Sequence, residues 1–281
     1  MRRAVSGLDH VVVMVDGIDA AEAAYRKLGF QVQPRGFHEK LGTANHLMIF
    51  DNDYFEILGI VEPTEFNAGR REWLKQGGGL ANVALATDGA DLAFDAFTAA
   101  GLQPDPPLSF DRAVEVAGRL EHAQFRTVRI PKTHMPVVGF FVCEHLTPQF
   151  VYRSEWVRHP NGARGILGVT VIAEPPARWT AELEKYFGEG SVRVDGEDIV
   201  ADTGTQPVRY MTRAAYARRY PGVAPLRSGD HPALLSLRVD SLSACQALLA
   251  QNGVATVGPD PDRLIVPPTE AANLSLEFRE R

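Results

Sequence analysis

A strand pattern followed by a helix pattern recurs along the chain. Residues 8–15 form a run rich in β-branched residues that ends at an Asp-Gly pair and predicts a strand. Apolar residues at helical spacing over 18–28 then predict a helix that stops at Gly29. The same order of strand, helix and glycine returns near residues 80, 166 and 233. This repetition predicts four βαβββ modules in series.

Residues 41–60 are predicted to form a hairpin around the turn 51–53, because Asp and Asn tolerate the backbone of tight turns. Side chains alternate between the faces of its return strand, so Glu56 is a lone carboxylate among apolar neighbours. His10 lies in an equally apolar strand. A buried carboxylate needs a partner or a metal, which makes the two residues candidates for one site. The alternatives are a solvent-facing Glu and a core His that is only hydrogen-bonded.

The remaining segments carry weaker patterns. Residues 105–120 are polar and contain prolines, and 213–231 show no clear period, so both are predicted to be loops. Short strands are predicted at 30–33 and 102–104. Together these patterns divide the chain into residues 1–150 (modules 8–60 and 80–146), a linker at 151–165, and a second, degenerate pair of modules at 166–281.

Composition narrows the class of protein. The chain has 281 residues, of which 45% are hydrophobic and 23% charged, as in a soluble globular protein large enough for about two domains. The formal net charge is −6 without a long basic run, which argues against a nucleic-acid partner. Cys143 and Cys245 have no metal-binding spacing and fit buried thiols in a reducing compartment, with one disulfide as the alternative. Because no apolar run suits a signal peptide or a membrane span, we predict a cytoplasmic protein without a membrane partner.

Several stretches carry a family resemblance. They are GLDHVVVMVDGIDAAEAAYRKLGF at 7–30, HEKLGTANHLMIFDNDYFEILGI at 38–60, FFVCEHLTP at 140–148 and HPNGA at 159–163. With them the chain resembles the glyoxalase/bleomycin-resistance/extradiol-dioxygenase superfamily, also called vicinal oxygen chelate proteins, and within it the glyoxalase-like domain proteins. The resemblance implies an α+β fold in which tandem βαβββ modules pair into U-shaped mixed sheets with helices on the outer face. It also implies a cleft that holds a divalent metal.

The resemblance assigns metal ligands to module one and leaves module two ambiguous. His10 matches the first-strand ligand, and Glu56 matches the last-strand ligand and candidate catalytic base. Asn82 stands where a metal-binding member has its second His, and amide oxygen is a poor ligand for zinc or nickel. On the last strand Cys143, Glu144 and His145 all remain candidates, with His145 taken as the third ligand. The implied cofactor is zinc, nickel, manganese or iron, with a metal-free site as the alternative.

Other polar residues are candidates for binding a substrate. Thr43 and Asn45 share one strand face, and with Asn82 they could hold substrate oxygens. His38 and Lys40 could close over a carboxylate, since Lys supplies a compact cation. The alternative for these two is a turn with solvated charges. In the linker, Tyr152, Trp156 and His159 are either a wall of the site or contacts that attach the linker to its domain.

In the second half, Glu277 matches a last-strand Glu but has no first-strand His as partner. We therefore expect Glu277 to be exposed or paired with Arg238 or Arg279. The functional cleft should belong to the first pair of modules, with the second pair as a scaffold or lid.

The predicted function is that of a metal-dependent, glyoxalase-like lyase or isomerase acting on a small oxygenated substrate. The first alternative, favoured by Asn82, is a metal-free protein that sequesters small molecules, as bleomycin-resistance members do. The second is an extradiol-type dioxygenase using His10, His145 and Glu56. Assembly as a homodimer is left open.

Overall fold

Two eight-stranded mixed sheets form the framework of the protein in the computed structural model, which describes residues 4–280 apart from the side chain of residue 259. The first sheet contains β1 Gly7–Met14, β2 Gly36–His38, β3 Thr43–Ile49, β4 Tyr54–Ile60, β5 Gly79–Ala86, β6 Leu108–Val116, β7 Arg119–Arg129 and β8 Gly139–His145. The second contains β9 Ala163–Ile172, β10 Val192–Asp195, β11 Asp198–Ala201, β12 Val208–Met211, β13 His231–Val239, β14 Val257–Asp260, β15 Arg263–Val266 and β16 Ser275–Arg279. The α-helices are α1 Ile18–Lys27, α2 Ala68–Lys75, α3 Ala90–Ala99, α4 Thr180–Phe187, α5 Arg213–Arg219 and α6 Leu242–Gln251.

Each sheet is built from two βαβββ modules that meet at their first strands. The strand orders are β2-β3-β4-β1-β5-β8-β7-β6 and β10-β11-β12-β9-β13-β16-β15-β14. Within a module the first and last strands are parallel, and β1 meets β5, as β9 meets β13, in antiparallel fashion. The predicted α+β fold of four tandem βαβββ modules is confirmed. Among residues 4–280, no helix has the length and apolarity that a membrane crossing requires.

Side-chain alternation sorts each sheet into two faces. Val11 and Val13 on β1 face the helices, whereas Val12 and Met14 face the opposite side. The helix-side faces of both sheets share one hydrophobic core with α1, α3, α4 and α6. Full burial of one large apolar side chain contributes about 1.5–3 kcal/mol, so this core is the main source of stability.

Polar contacts also join the two halves. The hydroxyl of Tyr25 donates to the carbonyl of Ala271 over 3.2 Å, and the hydroxyl of Tyr210 donates to the carbonyl of Pro136 over 2.8 Å. Strand β9 begins at Ala163, within the segment expected to be a linker. The division of the chain into domains at 1–150 and 166–281 stays a prediction.

Two predicted loops contain regular structure. Residues 105–120 include strand β6, whose pairing with β7 extends from Leu108 to Val116, so the loop prediction is wrong there. Phe110, Arg112 and Val114 point to one side of β6 at a spacing of two, but the prolines before the strand obscured this pattern. Residues 213–231 include helix α5. The short strands predicted at 30–33 and 102–104 are absent, and β2 begins only at Gly36.

Helices α2 and α5 occupy equivalent places, each between the two modules of its sheet. Helix α2 lines the mouth of a cavity in the first sheet through Arg70 and Trp73. By contrast, Tyr216 of α5 and the adjacent Tyr220 pack into a hydrophobic cluster on the corresponding face of the second sheet. The first cleft therefore stays open while the second is filled.

Glu277 lies beneath helix α5, and the prediction that it is exposed or paired with Arg238 or Arg279 is wrong. The residue is only 2% exposed, accepts a hydrogen bond from Ser236 Oγ over 2.5 Å, and lies 3.7 Å from Arg263 Nη1. Strand β15 pairs with β16 and carries Arg263 next to Glu277, so the charge is compensated inside the protein. The partner is not Arg238 or Arg279.

His159 attaches the segment before β9 to the first module and provides a test of the fold. Its Nδ1 accepts from the Gln31 amide over 3.0 Å and its Nε2 donates to the Ile49 carbonyl over 2.8 Å, which requires a neutral ring. Burial lowers the pKa of His159 to about 4. Stability from this residue is therefore present above the unfolded pKa of about 6.5 and is lost as pH falls towards 4. We expect its contribution to drop by about 2 kcal/mol between pH 7 and pH 5.

The measurement is urea unfolding of wild type and His159→Gln across that pH range. The substituted protein should lose this part of the pH dependence, since Gln does not titrate. His122→Gln is the control because the side chain of His122 is 51% exposed. If the wild type and His159→Gln show the same pH slope, the buried neutral ring is not the cause.

Candidate functional site

The first sheet curls around a cavity of about 470 Å³. Its edge strands β2 and β6 contact each other, so the sheet nearly closes. The lining residues lie between His10 and Cys143 and thus belong to the first two modules. Of the predicted site residues, the cavity is lined by His10, His38, Thr43, Asn45, Glu56 and Asn82. Lys40 is exposed in a short 3-10 helix and, like His145, does not line it.

His10 and Glu56 approach each other on the cavity face of neighbouring strands. Parallel pairing sets His10 opposite Tyr54 and places Glu56 two residues further along β4. His10 Nε2 lies 3.9 Å from Glu56 Oε2, and the His10 ring stacks on Tyr54 at a centroid distance of 4.3 Å. Asn45 Nδ2 donates to Glu56 Oε1 over 2.6 Å. The second carboxylate oxygen is therefore the one that faces His10.

Asp9 orients His10 from behind, and sequence reasoning missed it. Strict alternation puts Asp9 and His10 on opposite faces, but a β-bulge interrupts the pairing of β1 with β5 between Leu8 and His10. Both side chains consequently lie on the cavity side. His10 Nδ1 donates to Asp9 Oδ2 over 2.5 Å, and His145 Nε2 donates to the same oxygen over 3.0 Å. No feature of the sequence indicated this bulge.

Tyr152 completes the surroundings of Asp9 by donating from its hydroxyl to Oδ1 over 2.9 Å. Burial alone would raise the pKa of Asp9. The charges and hydrogen bonds of His145 and His10 outweigh this effect and hold the pKa well below its usual range. Asp9 is therefore an ionised, fully bonded carboxylate. Among the aromatic residues of the linker, Tyr152 therefore supports the site, because it holds Asp9 in place.

The donor set around His10 fits a divalent metal. Two atoms that each bind one ion at about 2.1 Å can be at most about 4.2 Å apart, so the spacing of 3.9 Å between His10 Nε2 and Glu56 Oε2 is compatible with shared coordination. It is too long for a hydrogen bond. Moreover, a metal-binding His usually donates its other ring N–H to a carboxylate, as His10 does to Asp9.

A second set of donor atoms lies on the other side of the His10 ring. Ligand atoms of Asp9, His10, Cys143 and His145 all lie within 4.8 Å of one another. Glu56 is not a member of this group. The predicted triad of His10, Glu56 and His145 is thus divided: Glu56 faces Nε2 of His10, and His145 reaches the Nδ1 side through Asp9.

Module two offers weaker ligands at the equivalent positions. Asn82 of β5 pairs with Gly139 of β8 as His10 pairs with Tyr54, so Phe141 occupies the position equivalent to Glu56. Phe141 contacts the His10 ring edge-on at 5.6 Å. Glu144 points away, because its carboxylate accepts from the Ala90 amide at the start of α3 over 3.0 Å. Cys143 is a buried free thiol.

Two of the substrate-binding candidates, His38 and Thr43, face each other across neighbouring strands that line the cavity. His38 Nδ1 and Thr43 Oγ1 are 3.0 Å apart. Burial, together with the nearby charges of Arg112 and Arg70, lowers the pKa of His38 to about 3, so its ring is neutral. Both arginines line the cavity, and sequence reasoning named neither. The alternation in β6 could have indicated Arg112.

Comparison with known proteins places the fold. A family model described as a glyoxalase-like domain matches residues 8–187. No curated protein sequence matches the chain.

Solved structures with this fold cover the chain from end to end. A hypothetical protein from Staphylococcus aureus has a TM-score of 0.69 at 11% identity, covering 97% of this chain and 98% of that chain. A xylose isomerase-like TIM barrel/4-hydroxyphenylpyruvate dioxygenase fusion protein has a TM-score of 0.63 at 17% identity, over 98% of this chain and 49% of that one. A mutant of 4-hydroxymandelate synthase from Streptomyces coelicolor has a TM-score of 0.60 at 12% identity, over 98% and 92%.

At these identities the structural likeness establishes the fold alone. The family model covers more than half of the chain, and its residues include both strands that carry His10 and Glu56. The protein belongs to the glyoxalase-like domain family.

Proposed function

We propose that this protein is a metal-dependent enzyme that binds a small oxygenated substrate in the cavity of the first sheet and acts on it as a lyase or isomerase. The observation that carries the proposal is the chain of contacts from Asp9 through His10 to Glu56. A carboxylate orients the imidazole, and the free ring nitrogen faces a second carboxylate at 3.9 Å inside a cavity. This is the arrangement expected of two protein ligands and one supporting residue.

Each residue has a defined part in this proposal. His10 Nε2 and Glu56 Oε2 would hold the ion, which would supply Lewis-acid chemistry to substrate oxygens. Asn45 fixes Glu56 Oε1 by its hydrogen bond. Glu56 is also the carboxylate placed to accept a proton from a substrate beside it. His145 and Tyr152 act through Asp9, whose position they fix.

A metal-free binding protein is the second candidate, and one observation favours it. The positions in module two that correspond to His10 and Glu56 carry Asn82 and Phe141, which leaves the cavity with two strong ligands. A dioxygenase with His10, His145 and Glu56 on the ion is less well supported, because His145 contacts Asp9 on the far side of the His10 ring from Glu56.

Metal titration distinguishes the enzyme from the metal-free binder. Mn²⁺, Zn²⁺ and Ni²⁺ are titrated by calorimetry into chelator-treated wild type, His10→Ala and Glu56→Gln. We expect each substitution to weaken binding at least about tenfold, or about 1.4 kcal/mol, because each removes one ligand. Wild type that binds none of these ions would favour the metal-free protein.

Glu277→Gln is the matched control. It changes a buried carboxylate on β16, the last strand of the fourth module, and should leave metal affinity unchanged. Unchanged affinity in His10→Ala and Glu56→Gln, with loss only in Glu277→Gln, would move the site to the second half of the chain.

Two further variants separate the two sets of donor atoms around His10. Asp9→Asn should lower metal affinity about 10- to 100-fold, since it removes the carboxylate that orients the ring. Cys143→Ser should leave affinity unchanged, and Co²⁺-loaded wild type should lack a thiolate charge-transfer band. The opposite pattern, with loss in Cys143→Ser but none in Glu56→Gln, would assign the ion to Asp9, His10, Cys143 and His145. Thermal unfolding of each variant checks that the fold is intact.

A further inference from the structure

The side chains that line the cavity include more cationic groups than carboxylates. Four cationic side chains line it (Arg70, Arg112, Arg129 and Lys132), against the two carboxylates Glu56 and Glu72. Glu72 is paired at 2.6 Å with Lys75 outside the lining. The chain as a whole has a formal net charge of −6, so this excess is local and opposite in sign to that of the protein. A cavity of one sign concentrates ligands of the other.

Arg112 is the most deeply buried of these cations. It is 2% exposed, and its Nη2 has no hydrogen-bond partner among residues 4–280. The guanidinium lies against Gly36, where a Cβ atom would come within 2.7 Å of Arg112 Cδ and 2.8 Å of Nη1. The backbone thus leaves room for this side chain to extend into the cavity. A buried charged donor without an acceptor costs several kcal/mol, roughly, unless something pairs with it.

Arg70 reaches the same cavity from helix α2. Its Nη1 is also buried without a hydrogen-bond partner in the described part of the chain. Burial, together with the charge of Arg129, lowers the pKa of Arg70 to about 10, so the group stays protonated at neutral pH. Arg70 and Arg112 line the same cavity as His38 and Glu56.

With Glu72 paired to Lys75, Glu56 is the lining carboxylate left to neutralise them, but its oxygens face other residues. Oε1 accepts from Asn45 over 2.6 Å, and Oε2 faces His10 at 3.9 Å. Two further lining atoms, Asn45 Oδ1 and Thr127 Oγ1, are buried without a hydrogen-bond partner among the residues that the structure describes. These unpartnered groups are of the kind that a bound polar ligand would satisfy.

We propose that Arg70 and Arg112 form a carboxylate-binding subsite, so that the substrate is a small carboxylate with an apolar body. Each guanidinium has a buried N–H donor without a partner in the described part of the chain, and guanidinium groups bind carboxylates through charge-assisted hydrogen bonds. The rest of the wall is suited to an apolar body, because Phe110, Phe125 and Phe141 line it. The inference deepens the proposed function by naming its substrate class, and it rests on that proposal for the identity of the cavity as the substrate site.

The test compares a matched acid and amide in chelator-treated full-length protein. The probes are 1-naphthylacetate and 1-naphthylacetamide, and binding is measured by calorimetry at pH 7.5. Wild type should bind the acid at least about tenfold more tightly than the amide. Arg112→Gln and Arg70→Gln should each remove most of that preference while leaving amide affinity within about twofold, because the apolar walls are unchanged. Arg112→Lys, which keeps the charge but loses the planar fork, should fall in between.

Arg126→Gln is the control, since Arg126 lies on β7 but faces away from the cavity and pairs with Asp91 over 2.7 Å. It should keep the full preference for the acid. Equal affinity of wild type for acid and amide, no binding of the acid, or a preference that survives both glutamine substitutions would overturn the subsite. Because the assay contains no metal, its result is independent of whether His10 and Glu56 bind an ion. Retained amide binding in the variants shows that the cavity is still folded.

Discussion

The bulge in β1 at Asp9 is the constraint on which the candidate centre depends. In a regular strand, one of two consecutive residues faces the helices and the other the cavity. Here Leu8 and Val11 pack into the helix-side core, and both residues between them turn towards the cavity. The carboxylate can then bind His10 Nδ1, which leaves Nε2 directed at Glu56. Without the extra residue, His10 would keep its place on the sheet but lose the group that fixes its ring and its tautomer.

The two halves of the chain show how one architecture can keep a cleft or fill it. In both, a helix connects the modules of a pair. Polar α2 has no buried residue and lies at the cavity mouth, where the Arg227 guanidinium stacks over Trp73 at 4.0 Å. Helix α5 instead brings Tyr216 down onto the sheet. The buried carboxylate of each half follows this difference: Glu277 is closed off by Ser236 and Arg263, and Glu56 is left facing open space.

Sequence periodicity predicted the modules because the strands and helices that build the core are the most regular parts of the chain. It also identified His10 and Glu56, whose strands are apolar enough for a polar residue to stand out. Periodicity did not predict features that depend on tertiary contacts or that lie in less regular segments. The bulge at Asp9 depends on pairing with β5, a partner some seventy residues away along the chain. Arg112 lies on a strand that follows a proline-containing segment, and Arg70 lies on a helix with no fully buried residue.

Two of these failures, at Arg70 and Arg112, have a common physical origin, since both residues lower the stability of the folded chain. Buried guanidinium N–H groups without partners oppose folding by several kcal/mol, roughly, unless a bound ligand pairs with them. Such groups are tolerated only where the rest of the structure stabilises the fold enough to offset their cost. The continuous core that joins the helix-side faces of both sheets provides it, and the second sheet contributes much of that core through β9, β13 and β16. The second half can therefore serve the site without lining it, because its packing stabilises a fold whose cavity is electrostatically incomplete.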